Sequence, residues 1–136
     1  MNILGMGVDV VEIKRIKKII KKNNSFLNRI FTSKEVKYCS KNKKNINCFA
    51  KRFAAKEAFV KALGIGFRQN INFNDIDIIN NRLGKPSIKL NNLLNKKVKL
   101  IFKIKKFNIF LSMSDENNYA FASVIITKKW RSIKNI

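Results

Sequence analysis

Asn47-Cys48-Phe49-Ala50-Lys51-Arg52-Phe53-Ala54-Ala55-Lys56-Glu57-Ala58-Phe59-Val60-Lys61-Ala62-Leu63-Gly64 is the strongest helix signal in the chain. Alanine recurs through it, no proline interrupts it, and Gly64 supplies the residue type that stops helices. Upstream, Ile3 to Val11 reads as a buried strand, short, apolar and punctuated by glycine. Strand alternation puts Leu4, Met6, Val8 and Val10 on one face and Gly5, Gly7, Asp9 and Val11 on the other. Ile13, Ile16 and Ile20 then recur at helical spacing among Lys14, Arg15, Lys17, Lys18, Lys21 and Lys22, which predicts an amphipathic basic helix. Phe26, Leu27, Ile30 and Phe31 form a second apolar cluster, read as a short helix capped by Ser25. Thr32-Ser33-Lys34-Glu35 matches a capping box, opening a helix to about Ser40.

Downstream of the long helix, Ile76 and Ile78 alternate with acids in a strand, Asn80 to Gly84 makes a turn, and Pro86 to Leu90 returns as an edge strand. Asn91 or Asn92 caps a helix running to about Lys105. Ile109 to Ser114 and Tyr119 to Thr127 read as a closing hairpin around Asp115-Glu116-Asn117-Asn118. Irregular alternation of helices with hairpins argues for an α+β fold. One domain over residues 1–127 is expected, followed by a basic tail over 128–136, with no repeats and no linker.

The 136 residues suit one domain, and at 46% hydrophobic they can build a core. The net charge of +22, from 30 Lys and Arg against 8 Asp and Glu, points to an acidic partner. Nucleic acid, an anionic membrane, a phosphorylated ligand and an acidic protein all qualify. Lys, Asn, Ile and Phe all have A/T-rich codons, however, so a biased genome raises the lysine count without selection for binding. The absence of His, and a Cys39–Cys48 spacing unlike Cys-x-x-Cys, argue against zinc. Two free thiols fit a reducing cytosol. Ile3 to Val11 lacks a basic leader and carries Asp9, so it does not read as a signal peptide. No run reaches the roughly 20 apolar residues that cross a bilayer. A soluble cytoplasmic protein is expected.

With so few acids, those in apolar settings stand out. Asp9 lies in an apolar strand beside Gly5 and Gly7, which leave room next to the carboxylate for something that is not protein. A buried carboxylate needs a cation, and position alone favours a salt bridge to a lysine. Glu57 projects between Phe53 and Ala54, on the flank of the face that carries Phe49, Phe53 and Val60. With Lys61 at i+4 it reads first as a surface pair worth about 0.3–0.5 kcal/mol. The functional alternative is that Asp9 and Glu57 hold one Mg²⁺ while Lys61 contacts a phosphate.

The order of the motifs favours that alternative. Gly5-Met6-Gly7-Val8-Asp9-Val10-Val11-Glu12-Ile13, Arg52-Phe53-Ala54-Ala55-Lys56-Glu57-Ala58, Lys61-Ala62-Leu63-Gly64 and Gly84-Lys85-Pro86 closely resemble signature blocks of the holo-acyl-carrier-protein synthases. Leu111-Ser112-Met113-Ser114-Asp115-Glu116, Tyr119-Ala120 and Val124-Ile125-Ile126 fit the same family, so the resemblance runs from about residue 3 to residue 127. It implies a single-domain 4′-phosphopantetheinyl transferase fold, an antiparallel sheet packed with a long central helix. The implied reaction moves 4′-phosphopantetheine from coenzyme A to a serine of an acyl carrier protein, for fatty acid biosynthesis, leaving adenosine 3′,5′-bisphosphate.

The resemblance further implies Mg²⁺ held by Asp9 and Glu57, with Lys61 as the third member of the catalytic group. It places Arg52, Lys61, Gly64, Lys85, Pro86 and Ser112 along the coenzyme A site, Lys85 near the 3′-phosphate or adenine end. Arg15, Lys22, Phe26 and Arg29 match the surface that grips the acidic carrier. The family's usual assembly is a homotrimer with coenzyme A in clefts between neighbours. Many relatives carry a His where this chain has Phe110, and some another at Asp115, so no imidazole serves here. The base candidates are Glu57, Asp115 or a water polarised by the metal. Glu57 is expected to orient such a water. The competing class is a small basic nucleic-acid-binding protein, supported by charge and Phe content but by no recognised motif. A relative that loads polyketide or peptide carriers is a lesser alternative, because those enzymes are often longer.

Overall fold

In a computed structural model describing residues 2–65 and 70–130, one helix, α4 (Asn45–Ala62), runs through the middle of an α+β domain. Three antiparallel strands lie across it in the order β1 (Ile3–Glu12), β5 (Tyr119–Lys128), β4 (Phe107–Asp115). The helix and this sheet meet without intervening side chains at one place. A Cβ on Gly5 would collide with the carbonyl oxygen of Ala62, and one on Gly7 with that of Ala58. Only glycine lets a strand backbone come this close to a helix backbone. The space beside Gly5 and Gly7, expected to be open for a ligand, is therefore filled by α4 itself.

Alternation in β1 is as expected, but its burial is not. Gly7 and Val11 face α4 and are buried, whereas Met6, Val8 and Val10 are 64%, 59% and 51% exposed. Their sheet neighbours Phe121 and Phe110 share that outer face and are exposed as well. The single chain thus covers only one face of its sheet.

Before α4 come α1 (Ile13–Lys22), which buries Ile13 and Ile16, α2 (Asn24–Ile30) and α3 (Ser33–Ser40). The cap of α2 is Asn23 rather than Ser25: its side chain accepts from the Ser25 N–H. The capping box at Thr32 and Glu35 is present in full. After α4, a 3₁₀ turn leads into a separate hairpin of β2 (Ile76–Asn80) and β3 (Pro86–Leu90). Asn91, not Asn92, caps α5 (Asn92–Phe102), which ends three residues short of Lys105 because Lys103 turns left-handed at φ 53°. Strand β5 continues through Lys128, so the expected tail begins inside the sheet, and its residues 131–136 lie outside the described ones.

Inside this framework is a buried ion pair. Lys56 Nζ donates to Glu35 Oε1 at 2.6 Å and to the carbonyls of Ile30 and Phe73 at 2.7 and 2.9 Å. The second carboxylate oxygen, Oε2, accepts from the Ile78 N–H. One cluster thus ties α2, α3, α4 and β2 together. Burial pushes the Lys56 ammonium below its usual pKa, and Glu35 opposes that shift. Cys39 and Cys48, expected to be free thiols, instead form a disulfide between α3 and the first turns of α4, with Cα atoms 5.5 Å apart. The intervening loop folds the two cysteines back on each other, which spacing could not reveal.

Lys56→Met should leave the Glu35 carboxylate buried without its cation. Urea unfolding is expected to show a loss of about 3–5 kcal/mol, the usual result of removing one member of a buried pair. A loss below about 1 kcal/mol, typical of surface pairs, would mean that the cluster does not hold these elements together.

A candidate site where β1 crosses the central helix

Asp9 follows Gly7 by two residues, so it faces the same side of β1 and comes alongside the end of α4. There Lys61 Nζ donates to Asp9 Oδ1 at 2.9 Å and to the Val8 carbonyl at 3.1 Å. Glu57, half-buried, lies one helical turn before Lys61 on the same flank. Asp9 and Lys61 are therefore in contact, and helical spacing puts Glu57 one turn away on the same flank. The lysine partner that position alone favoured for Asp9 is present, and it is Lys61.

The Lys61 side chain is half exposed, so this ion pair is weak, at most about 1 kcal/mol. Both ions can exchange partners at little cost, Lys61 to an anionic oxygen and Asp9 to another cation. Among the described residues no group of three or more His, Cys, Asp or Glu could enclose a metal. Two hard carboxylates at an open margin suit Mg²⁺, which keeps several waters and takes substrate phosphate oxygens. They do not suit a metal needing a complete protein cage.

The other expected residues disperse. Gly64 turns the chain left-handed after α4 at φ 71°, with open space where a Cβ would be. Exposed Lys85 leads into Pro86, where β3 begins after the 81–85 turn. Ser112 lies on the outer face of the sheet, paired with Ser123, which in turn pairs with exposed Val8. With Val8, Ser114, Phe121 and Ser123 it lines a shallow hollow of about 150 Å³. Within one chain, Ser112 and the Asp9 margin are on opposite sides of the sheet. Arg52 departs furthest from expectation. It is 2% exposed and donates through Nη1 to the Cys48 carbonyl and sulfur, and through Nη2 to Asn80 Oδ1. It is an interior group, not the lining of an open cleft.

Along α1, Arg15 and Lys22 line a groove with Glu12, Lys18 and Ile19, and Arg29 is exposed nearby in sequence on α2. Phe26, expected on this surface, is instead in the core, its ring 6.2 Å from those of both Phe31 and Phe53. Asp115 accepts from Asn47 Nδ2 at 2.7 Å and pairs with Lys51 at 3.3 Å. Partial burial alone would raise its pKa, but the Asn47 amide and the Lys51 charge outweigh this and hold it below the usual value. Sequence reading missed these partners, and missed Lys56 and Arg52 as interior cations. A helical wheel at ~100° per residue carries that second signal, because Lys56 falls between Phe59 and Val60, inside the apolar face.

A model of the 4′-phosphopantetheinyl transferase superfamily matches residues 5–124. The holo-[acyl-carrier-protein] synthase of Pelagibacter ubique is 52% identical over 129 residues, 95% of this chain and 100% of that protein. The crystal structure of the Neisseria meningitidis holo-[acyl-carrier-protein] synthase superposes with a TM-score of 0.82 at 40% identity, covering 93% of this chain and 99% of that one. That of the Bacillus anthracis synthase, a complex with CoA (3′,5′-ADP), gives 0.77 at 30% identity, covering 95% and 100%.

The depressed pKa of Asp115 has a thermodynamic consequence. A carboxylate whose folded pKa lies below its unfolded value, about 3.9, stabilises the fold at neutral pH and loses that effect as pH falls through the folded value. Asp115→Asn should therefore lower Tm at pH 7, with the gap to the parent narrowing steadily between pH 5 and pH 3. Thermal melts across that range check it, and a gap independent of pH would contradict the pairing.

Proposed function

The chain belongs to the 4′-phosphopantetheinyl transferase superfamily, and we propose that it is a holo-acyl-carrier-protein synthase. It transfers 4′-phosphopantetheine from coenzyme A to a serine of an apo acyl carrier protein, leaving adenosine 3′,5′-bisphosphate. The observation that carries this reading is the convergence of Asp9, Lys61 and Glu57 where β1 crosses α4. Phosphoryl transfer needs positioning and charge neutralisation more than covalent help, and these are what the margin offers.

Asp9 and Glu57 are the residues that would hold Mg²⁺, which neutralises charge on the pyrophosphate of coenzyme A when bound. Lys61, released from Asp9, has a free ammonium for a phosphate oxygen. Glu57 orients the water that accepts the proton of the attacking serine. Asn47 and Lys51 stabilise the ionised form of Asp115 and make it a weaker base, which favours Glu57 for that task. Lys85 and Pro86, on and beside the exposed 81–85 turn, bind the 3′-phosphate and adenine end, with Gly64 giving the backbone room to approach.

Two features support assembly into a homotrimer. The outer sheet face leaves Met6, Val8, Val10, Phe110 and Phe121 in water, an apolar patch that a second subunit would cover. Ser112 is on that same face, away from Asp9, so a neighbouring subunit would bring the two to one coenzyme. The carrier docks on the Arg15, Lys22 and Arg29 surface, where cationic side chains attract an acidic protein at long range. Nucleic-acid binding loses part of its aromatic support, because Phe26, Phe31, Phe49, Phe59 and Phe73 are all buried, while Phe110 and Phe121 stay exposed.

Incubation with apo carrier, coenzyme A and Mg²⁺ should raise the carrier's mass by one phosphopantetheine. Asp9→Ala and Glu57→Ala should each abolish that gain at limiting Mg²⁺ while remaining folded by circular dichroism. Near-parental turnover in either variant would remove the metal assignment, and no gain with the parent chain would remove the activity.

Charge reversal at Arg15 or Arg29 is expected to raise KM for the carrier and flatten its salt dependence, with KM for coenzyme A nearly unchanged. Steady-state kinetics with each substrate varied in turn distinguishes this from an equal loss for both, which would place these arginines elsewhere in the mechanism.

A further inference from the structure

The interior arginine is the middle of a continuous chain of contacts that ends at the turn carrying Lys85. At one end is the Cys39–Cys48 disulfide, both residues buried. Arg52 Nη1 donates to Cys48 Sγ at 3.2 Å and to the Cys48 carbonyl at 3.4 Å. Its guanidinium stacks 4.6 Å from the centre of the Tyr38 ring, one residue before Cys39. Nη2 donates to Asn80 Oδ1, and Asn80 Nδ2 donates onward to the Gly84 carbonyl at 3.0 Å. Asn81 completes the turn: its Oδ1 accepts from the N–H groups of Leu83 and Lys85 at 3.0 and 2.8 Å. Its N–H donates to the Lys85 carbonyl at 3.0 Å.

Arg52 reaches from the core to Asn80, the last residue of β2, immediately before this turn. Residues 81–85 are all exposed, and the hairpin belongs to a sheet separate from the one on α4. The strand β2 is anchored in the core at Ile76 and Ile78, and the exposed tip lies beyond that anchorage, where Asn80 carries the contact onward. Burying a guanidinium is costly, and Arg52 Nε makes no hydrogen bond, so its place is not explained by its own stability.

We propose that Arg52 is a positioning residue that acts through Asn80 to hold the 81–85 turn in place for coenzyme A, and that the Cys39–Cys48 bond fixes Arg52. This rests on the reading above that Lys85 binds the coenzyme. Reduction by a dithiol breaks the S–S bond and leaves a proton and an electron on each sulfur, the reagent closing to its own cyclic disulfide. The sulfurs then separate, Nη1 keeps its contact to the Cys48 carbonyl but loses the fixed one to Sγ, and the far end of the relay loosens. The site thereby responds to the thiol–disulfide balance of its surroundings.

The test uses the whole enzyme, purified without reductant, before and after dithiothreitol has released both thiols, together with Asn80→Ala and Lys85→Ala. Asn80→Ala should raise KM for coenzyme A about fivefold, the effect of one lost hydrogen bond. It should leave kcat within about twofold and KM for the carrier unchanged. Reduction should raise KM for coenzyme A in the parent but add nothing in Asn80→Ala, because the relay is already cut. Amide hydrogen exchange over residues 81–85 should quicken in both cases. Unchanged exchange overturns the positioning role, and multiplying effects of reduction and Asn80→Ala overturn the relay. Two free thiols that persist after oxidised glutathione overturn the redox part. Quickened exchange with a Lys85→Ala variant of parental KM instead overturns the coenzyme contact, and with it the functional half of the proposal.

Discussion

Two glycines set the geometry of this protein. Because Gly5 and Gly7 carry no Cβ, β1 rests with its backbone against the carbonyls of Ala62 and Ala58, and the strand cannot shift along the helix without losing that fit. Asp9 is two residues beyond Gly7, and Lys61 is next to Ala62, so the same close approach delivers the carboxylate and the ammonium to each other. Glu57 arrives with them because it is one turn away on a rigid element. A site built at a backbone-on-backbone crossing inherits the precision of the crossing, which positioning catalysis requires.

The scarcity of acids makes the few pairings more telling. Glu35 is committed to Lys56, Asp9 to Lys61, Asp115 to Lys51 and Asn47, and Asp77 accepts from Thr32. They differ in how far they are shielded from water. The Glu35–Lys56 pair is fully buried, where breaking it is expensive, and so it serves as a joint between elements. The Asp9–Lys61 pair is partly solvated, where exchange of partners is cheap, and so it can serve a reaction. Burial, rather than residue type, separates the pair that joins elements from the pair that can exchange partners.

A similar division runs through the sheet. Its inner face is spent on α4, while its outer face presents Ser112 among exposed apolar side chains. Ser112 and the Asp9 margin are thus divided between the two sides of one subunit. The outward position of Ser112 and the apolar character of the outer face are two aspects of the same arrangement.

The sequence by itself determined the α+β class, the long helix to within two residues at its start, the capping box and the hairpins, and it singled out Asp9, Glu57 and Lys61 as candidates. These depend on local periodicity, capping chemistry and motif order, which one-dimensional spacing carries. Only the tertiary structure decided that the gap beside Gly5 and Gly7 is filled by helix, that Met6, Val8 and Val10 face outward, and that Phe26 and Arg52 face inward. It alone decided the Cys39–Cys48 bond and the Glu35–Lys56 pair. Each of these depends on which surface a residue meets across the fold, and contacts between residues distant in sequence are set by packing rather than by the pattern of the chain around either partner.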